Sequence, residues 1–344
     1  MDKKKVLIIR LSALGDVIFN LPLANILKSN DYEVHWITSE KGFDIVNNNP
    51  LIDKAILAPV EKWKKQHFFK NFIEYIKIIK FLRSQKYDIA IDTQLLLKSA
   101  IWTALCGAKR RIVSKSAREF AHLAGNEIIE KLSYDYNIHA TKRYLKFSEY
   151  LGLESTEIIA KLPLSSEKTI EKINDLTKDL DKTKPIIGIA PATTWVTKHW
   201  NRDNWKELVK KLENDYNIVF TGTKKDLELI EYISNGKHLN IAGQTNLLEL
   251  AEFFRCCDLV ISLDSGSTHL AWACENPKIV SIFCSTPQGF YAPIGQSNKY
   301  IALSGDLSCQ PCHKKHCPIA ETTEGCTYLP KVEEVLNAVD KLLK

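Results

Sequence analysis

The chain has no stretch approaching the roughly 20 uninterrupted apolar residues that a membrane-spanning helix needs. Its start runs from Lys3-Lys4-Lys5 straight into a strand-like segment, so neither a signal peptide nor an anchor is expected. Also missing are a Gly-x-Gly-x-x-Gly fingerprint and the Gly-Lys-Ser/Thr of a phosphate-binding P-loop, which weakens dehydrogenase and NTPase readings. An epimerase that relies on the dinucleotide fingerprint is disfavoured on the same ground. No nucleic-acid motif is recognisable, and a net charge of +6 is modest for this length, so no nucleic-acid partner is expected. Nine cysteines are an odd number without an export signal, pointing to a reducing cytoplasm rather than a disulfide framework.

What is present is a chain of 344 residues, 45% hydrophobic, long enough for two cores. From Lys5 the run Val-Leu-Ile-Ile-Arg-Leu has the continuous apolar character of a strand buried on both faces of a parallel sheet. A turn through Ser12, Gly15 and Asp16 follows, then helical spacing from Val17 to Lys28 that Pro22 should kink or delimit. Further strands are expected at Glu33 to Thr38, Lys54 to Ala58 and Asp88 to Asp92, with helices between them. The grammar restarts after a charged, strand-poor stretch from Ser165 to Lys184. Strands are expected at Pro185 to Ala190, Asn217 to Thr221 and Leu259 to Leu263; helices at Asn201 to Glu213, Asp226 to Ser234 and Leu247 to Cys256. The fold class expected is α/β: two Rossmann-like doubly wound domains facing a cleft, with ligands at the carboxyl ends of the strands. The domains are expected at 1–165 and 166–330, with 331–344 as a terminal helix packing back on the first domain by fold analogy. Cys106, Cys256, Cys257, Cys274 and Cys284 sit in apolar runs and read as small core residues.

Residues Glu61 to Lys86 interleave lysines with Trp63, Phe68, Phe69, Phe72, Ile76 and Ile79, a basic amphipathic helix. It is either a surface helix with its stripe on the core, or a face that meets anionic lipid or an anionic acceptor.

Three segments carry chemistry. In Leu259 to Ala273 a buried strand meets a helix at Asp264-Ser265-Gly266, with His269 one turn on. The first N–H groups of such a helix lack internal partners and its dipole favours an anion, so a diphosphate fits there; the plain alternative is a capped tight turn around a core histidine. After the strand ending at Ala190, Thr193, Thr194 and Lys198 can hydrogen-bond phosphate oxygens and offset a leaving group's charge, or form a solvated polar loop. In the first half, Asp16 at a helix start either complements the macrodipole or serves as the general base that an attacking hydroxyl needs.

Taken together, Ser12-x-x-Gly15-Asp16, Thr193-Thr194-x-x-x-Lys198-His199-Trp200 and Asp264-Ser265-Gly266-x-x-His269-Leu270 resemble glycosyltransferase family 9, the bacterial lipopolysaccharide heptosyltransferases. The resemblance spans nearly the whole chain. It implies a GT-B fold and a metal-independent inverting transfer of heptose from ADP-heptose to the Kdo region of lipid A. The enzyme would be cytoplasmic, peripheral on the inner membrane surface, and need no cofactor. By motif position Asp16 is the base; Thr193, Thr194 and Lys198 contact phosphate, with Lys198 also assisting catalysis; Asp264, Ser265, Gly266 and His269 take the donor side. Ser12 and Gly15 fall on the acceptor side. The second motif is closer to enzymes that add the first heptose. Heptosyltransferase II, adding to the first heptose, is the alternative, as is a non-catalytic nucleotide-sugar-binding protein on the same scaffold. Asn201 stands where the family often has proline. The donor-ribose carboxylate is replaced around Lys224, leaving Asp226 as the nearest acid. Cys309-x-x-Cys312, Cys317 and Cys326, with His313 and His316 nearby, could hold a structural zinc; reduced thiols in a loop are the alternative. A similar cysteine stretch occurs in some second-heptose enzymes.

Overall fold

The computed structural model describes all residues except 1–2, 66–67, 154–156, 296–297 and 318–324, and the side chains of 68–70 are likewise outside the description. The chain divides into two compact units, one of residues 1–134 and 140–164, the other of 135–139 and 165–344.

Unit one holds β1 (Lys5–Ile9), β2 (Glu33–Thr38), β3 (Lys54–Leu57), β4 (Ile89–Asp92), β5 (Arg110–Ser114) and β6 (Glu127–Ile129), ordered β3-β2-β1-β4-β5-β6 and parallel throughout. Val6 to Ile9 are fully buried, as an all-apolar central strand requires. The helical stretch after β1 is delimited at Pro22, as expected, into α1 (Leu14–Phe19) and α2 (Leu21–Ser29), broken at Asn20, with Pro22 in the first turn of α2, where its missing N–H costs nothing. The basic segment forms a helix, α3 (Phe68–Ser84). Its Tyr75, Ile78, Ile79 and Leu82 pack on the core with Trp63 and Trp102, whereas Lys77, Lys80 and Arg83 are exposed. The C-terminal part of the stripe packs on the core while Phe72 and Ile73 stay exposed; residues 66–67 and the Phe68, Phe69 and Lys70 side chains lie outside the described residues. Helices α4 (Leu97–Leu105) and α5 (Ala140–Tyr150) complete the part used below.

Unit two opens with α6 (Glu167–Thr177), inside the stretch expected to lack strands, and holds β7 (Ile186–Ala190), β8 (Asn217–Phe220), β9 (Leu239–Asn240), β10 (Leu259–Leu263), β11 (Lys278–Phe283) and β12 (Tyr300–Ser304). Their order is β12-β11-β10-β7-β8-β9, again all parallel. Helix α7 (Arg202–Leu212) starts at Asn201, whose side-chain oxygen accepts from the N–H groups of Asp203 (2.7 Å) and Asn204 (3.4 Å). Asparagine thus supplies the cap that a proline could not. Helix α8 (Gly266–Ala273) follows β10.

The terminal helix α9 (Val332–Leu343) corrects the expectation that it packs back on the first domain. Val332, Val335, Ala338, Val339 and Leu342 fill the core of unit two against α7, β11 and β12. With its apolar face consumed there, the helix belongs to unit two. Cys256 is a second correction: it is exposed at the end of its helix, while Cys106, Cys257, Cys274 and Cys284 are buried.

Candidate functional site

Each sheet reverses strand order once, between β1 and β4 in unit one and between β7 and β10 in unit two. Loops leaving neighbouring strands at such a point diverge and open a crevice at the carboxyl edge. All the motif residues read from the sequence fall in these four loops or the helices they enter.

In unit one, β1 delivers Arg10 to its carboxyl end. Its guanidinium donates to the Thr93 carbonyl (2.5 Å) and pairs with Asp16 Oδ2 (2.6 Å). Burial opposes the Arg10 charge, yet Asp16, Tyr144 and Asp92 outweigh it and move its pKa up. The Tyr144 hydroxyl, on α5, donates to Asp16 Oδ1 (3.0 Å), and the Ala13 N–H reaches Oδ2 (3.3 Å). Asp16 is thus fixed through both oxygens. From β4, Gln94 Oε1 accepts the N–H groups of Leu11 (3.0 Å) and Ser12 (3.1 Å), and Lys98 donates to Ser12 Oγ (2.9 Å). Buried Asp92 braces that loop by accepting from the N–H groups of Gln94 and Leu95, both at 2.9 Å. Gly15 lies in the first turn of α1, beside Asp16.

In unit two, Lys198 pairs with Asp264 Oδ2 at 2.7 Å, both side chains largely buried. Thr286 donates to the same oxygen (2.6 Å), and His269 Nε2 lies 3.8 Å from Oδ1. Thr193 Oγ1 donates to the Asp264 carbonyl (3.2 Å), joining the loop after β7 to the head of α8. Lys198 sits over the Trp195 ring at 4.8 Å and within 5.9 Å of the Tyr291 ring centre. Ser265 Oγ is buried without a hydrogen-bond partner at the first position before α8, beside N–H groups that have no acceptor within the helix. Gly266 opens that helix. The structure thus gathers Thr193, Lys198, Asp264, Ser265, Gly266 and His269 at one edge; Thr194, on the same loop, is exposed.

Residues 75–322 match the family model described as glycosyltransferase family 9 (heptosyltransferase). The chain belongs to this family. A lipopolysaccharide heptosyltransferase 1 of Campylobacter coli is 29% identical to it over a 355-residue alignment covering 98% of each chain. A family 9 glycosyltransferase of Veillonella parvula superposes with a TM-score of 0.82 at 21% identity, over 100% of this chain and 98% of that one. The Escherichia coli heptosyltransferase WaaC, solved with ADP, gives 0.76 at 20% identity, over 98% and 99%. The shared fold is GT-B, two Rossmann-like units.

Within this family 9 chain, several neighbours of the motifs escaped the sequence. Arg10 ends an apolar strand and reads as a strand terminus, and Gln94, in the loop after β4, and Lys98, in the first turn of α4, have no motif spacing of their own. Tyr144 is 128 residues from Asp16, and Thr286 is 22 from Asp264; only folding brings them in. His313, read from the sequence only beside the cysteines, also lies near Lys198, its pKa held down by burial and then by the Lys198 charge. It meets Tyr136 (ring centres 4.8 Å apart), which belongs to the 135–139 segment of unit two. Gly289 permits that approach, since a Cβ there would fall 2.7 Å from the Tyr136 carbonyl oxygen.

Asp226, the acid nearest the expected ribose position, turns inward: its Oδ2 accepts the Thr223 N–H (2.7 Å) and hydroxyl (2.8 Å) as a local cap. Among the described residues no three His, Cys, Asp or Glu side chains are placed to hold a metal ion. Cys309 is exposed, Cys312 and Cys317 half-buried, and Cys326 buried, its thiol pushed up to about 11 by burial with the neighbouring cysteines adding to it.

Proposed function

We propose that this chain transfers heptose from ADP-L-glycero-D-manno-heptose to a Kdo sugar of lipid A, in lipopolysaccharide inner-core synthesis at the cytoplasmic face of the inner membrane. The observation that carries the reading is Asp16: a carboxylate fixed by Arg10 and Tyr144 and still one-third exposed, where a hydroxyl can reach it. In the proposed step Asp16 takes the proton of the acceptor hydroxyl as that oxygen attacks the anomeric carbon from the face opposite the diphosphate, inverting it. ADP leaves as a stabilised anion, so no general acid is required. Lys198 and the head of α8 offset the charge growing on the departing phosphate, with Thr193 and Thr194 as further contacts and His269 toward the donor sugar. Asp264 orients Lys198 through their ion pair. No metal takes part in this scheme.

The form Thr193-Thr194-x-x-x-Lys198-His199-Trp200 and the likeness to a heptosyltransferase 1 support addition of the first heptose. The stretch from Cys309 to Cys326 favours a second reading, addition to a heptose already in place. Incubation with ADP-heptose and either Kdo–lipid A or its monoheptosylated product, following ADP release and acceptor mass, separates the two. Donor binding without transfer to either would leave a binding protein and end the enzymatic reading.

A further inference from the structure

Helix α4 buries Ser99, Ala100, Trp102 and Thr103 and turns Leu97, Ile101 and Leu105 outward. These three recur every fourth residue, so they form one stripe along the helix. Beside it runs the 3-10 turn Ala121–Ala124, which approaches closely because Ala100 meets Ala121 and Ala124 in a small cluster. That turn adds Phe120, 79% exposed, and Leu123, 74% exposed, to Leu97 at 56%. Five large apolar side chains thus share one surface, whereas a soluble face usually carries them singly.

The backbone supports a purpose for this exposure. Glu119 and Phe120 have φ of 55° and 58°. The left-handed region is costly for an aromatic residue, and such strain concentrates at functional positions. Charge identifies what the surface meets. Between Leu97 and Leu123, Lys109, Arg110 and Lys115 are exposed but paired with Asp88, Glu127 and Glu130, and Arg111 donates to the Ala108 and Ala124 carbonyls. The acid Glu119 lies at the edge of the face, its Oε2 accepting the Leu97 N–H (3.0 Å) and its charge acting on Lys98, which leaves Arg118 as the cation in excess. Lys98 and Arg118, both exposed, flank the apolar residues and form no ion pair among the described residues.

We propose that the face made by α4 and Phe120–Leu123 docks on an anionic lipid bilayer, with Phe120, Leu123, Leu97 and Ile101 entering the interface and Lys98 and Arg118 lying at the headgroups. Apolar side chains flanked by cations suit that boundary, where each group contributes to binding. Lys98 also touches Ser12, so the surface adjoins the loop that carries Asp16. Docking here rests on the proposed lipid-linked acceptor for its purpose.

The test is flotation of the full chain with vesicles of phosphatidylglycerol and phosphatidylethanolamine, against vesicles of phosphatidylcholine, without donor or acceptor. Vesicle binding and heptose transfer therefore fail separately. The wild-type chain should float with the anionic vesicles and progressively less as salt rises. Phe120→Asn with Leu123→Ser, and separately Leu97→Ser with Ile101→Ser, should cut the bound fraction about tenfold or more, given the apolar area each pair removes. Asparagine tolerates the left-handed backbone, so the thermal midpoint of Phe120→Asn should hold or rise while binding falls. Phe120→Trp should be quenched by brominated lipid. Failure of the wild-type chain to float, or flotation of both pairs at the wild-type level, overturns the proposal. So does a wild-type oligomer that these substitutions dissociate, which would make the face a contact between copies of the chain.

Discussion

Arg10 and Asp16 form an ion pair of 2.6 Å in which the guanidinium side chain is 6% exposed and the carboxylate 33%. A buried cation therefore anchors a carboxylate that still faces solvent. Asp16→Asn keeps the shape and removes the base. Turnover should fall by roughly 10²–10⁴, the usual worth of a positioned general base, with ADP affinity within about twofold of wild type. Initial-rate kinetics with calorimetric ADP titration check both halves. Near-normal turnover would remove Asp16 from the chemistry.

Lys198 offers a point charge held between Asp264 and the Trp195 ring. Lys198→Met should lower kcat by roughly 10²–10³, as expected when a group that meets developing charge is lost. Lys198→Arg should restore little, because the planar fork cannot reproduce a compact ammonium in that place. An unchanged kcat in the methionine variant would assign the lysine to structure alone.

His35 is buried on β2 with Tyr87 Oη and Glu33 Oε1 each 2.9 Å from its ring nitrogens, and burial lowers its pKa below the usual 6.5. Folding therefore favours the neutral ring, and the unfolded chain gains a proton first on acidification. The contribution is complete above about pH 6.5, declines as pH falls from there toward the folded pKa, and levels off below it. His35→Gln should flatten that part of the profile, measured by urea unfolding at about pH 7.5, 6.5 and 5.5. An identical slope in the variant would assign the dependence to other groups.

Asn201 caps α7 with its side chain while its own N–H donates to the Thr327 carbonyl at 2.7 Å. Asn201→Ala should cost about 1 kcal/mol in denaturant unfolding, and Asn201→Pro should also destabilise because it removes that backbone donor. A proline variant as stable as wild type would show that the Thr327 contact contributes nothing.

Elemental analysis of protein purified without chelator tests the zinc site: one metal per chain, released by chelator together with a drop in thermal midpoint, would assign it to Cys309, Cys312, Cys317 and Cys326, and no metal would leave them as reduced thiols. Thiol labelling of the native chain should reach Cys309 and Cys256 well before Cys274, which is buried and raised to about 12.

Strands such as β1 and β10 are legible because a parallel sheet covered on both faces admits only apolar side chains, leaving an unbroken run. Strand β11 carries the same grammar, one repeat beyond the last strand expected. Strands β5 and β6 are not legible: one begins Arg110-Arg111 and the other is three residues long, and each is defined by the strand it pairs with, β5 by β4 and β6 by β5. The helix break at Asn20 follows from Pro22, but whether a proline kinks or restarts a helix is settled by packing. Loop residues that act in order along the chain, such as Ser12 to Asp16, keep their motif spacing. Tyr144 and Thr286 have none, since they are recruited from elements whose own periodicity says only that they are helix or strand end.

The placement of α9 bears on how the chain is made. Trp200 Nε1 donates to the Pro330 carbonyl at 2.9 Å, and the helix beyond Pro330 completes the core beneath the loop that holds Lys198. On the ribosome, unit one has all its residues once Leu164 has emerged. Unit two must wait for the last dozen residues, so a newborn chain passes through a stage with one finished half and one open half.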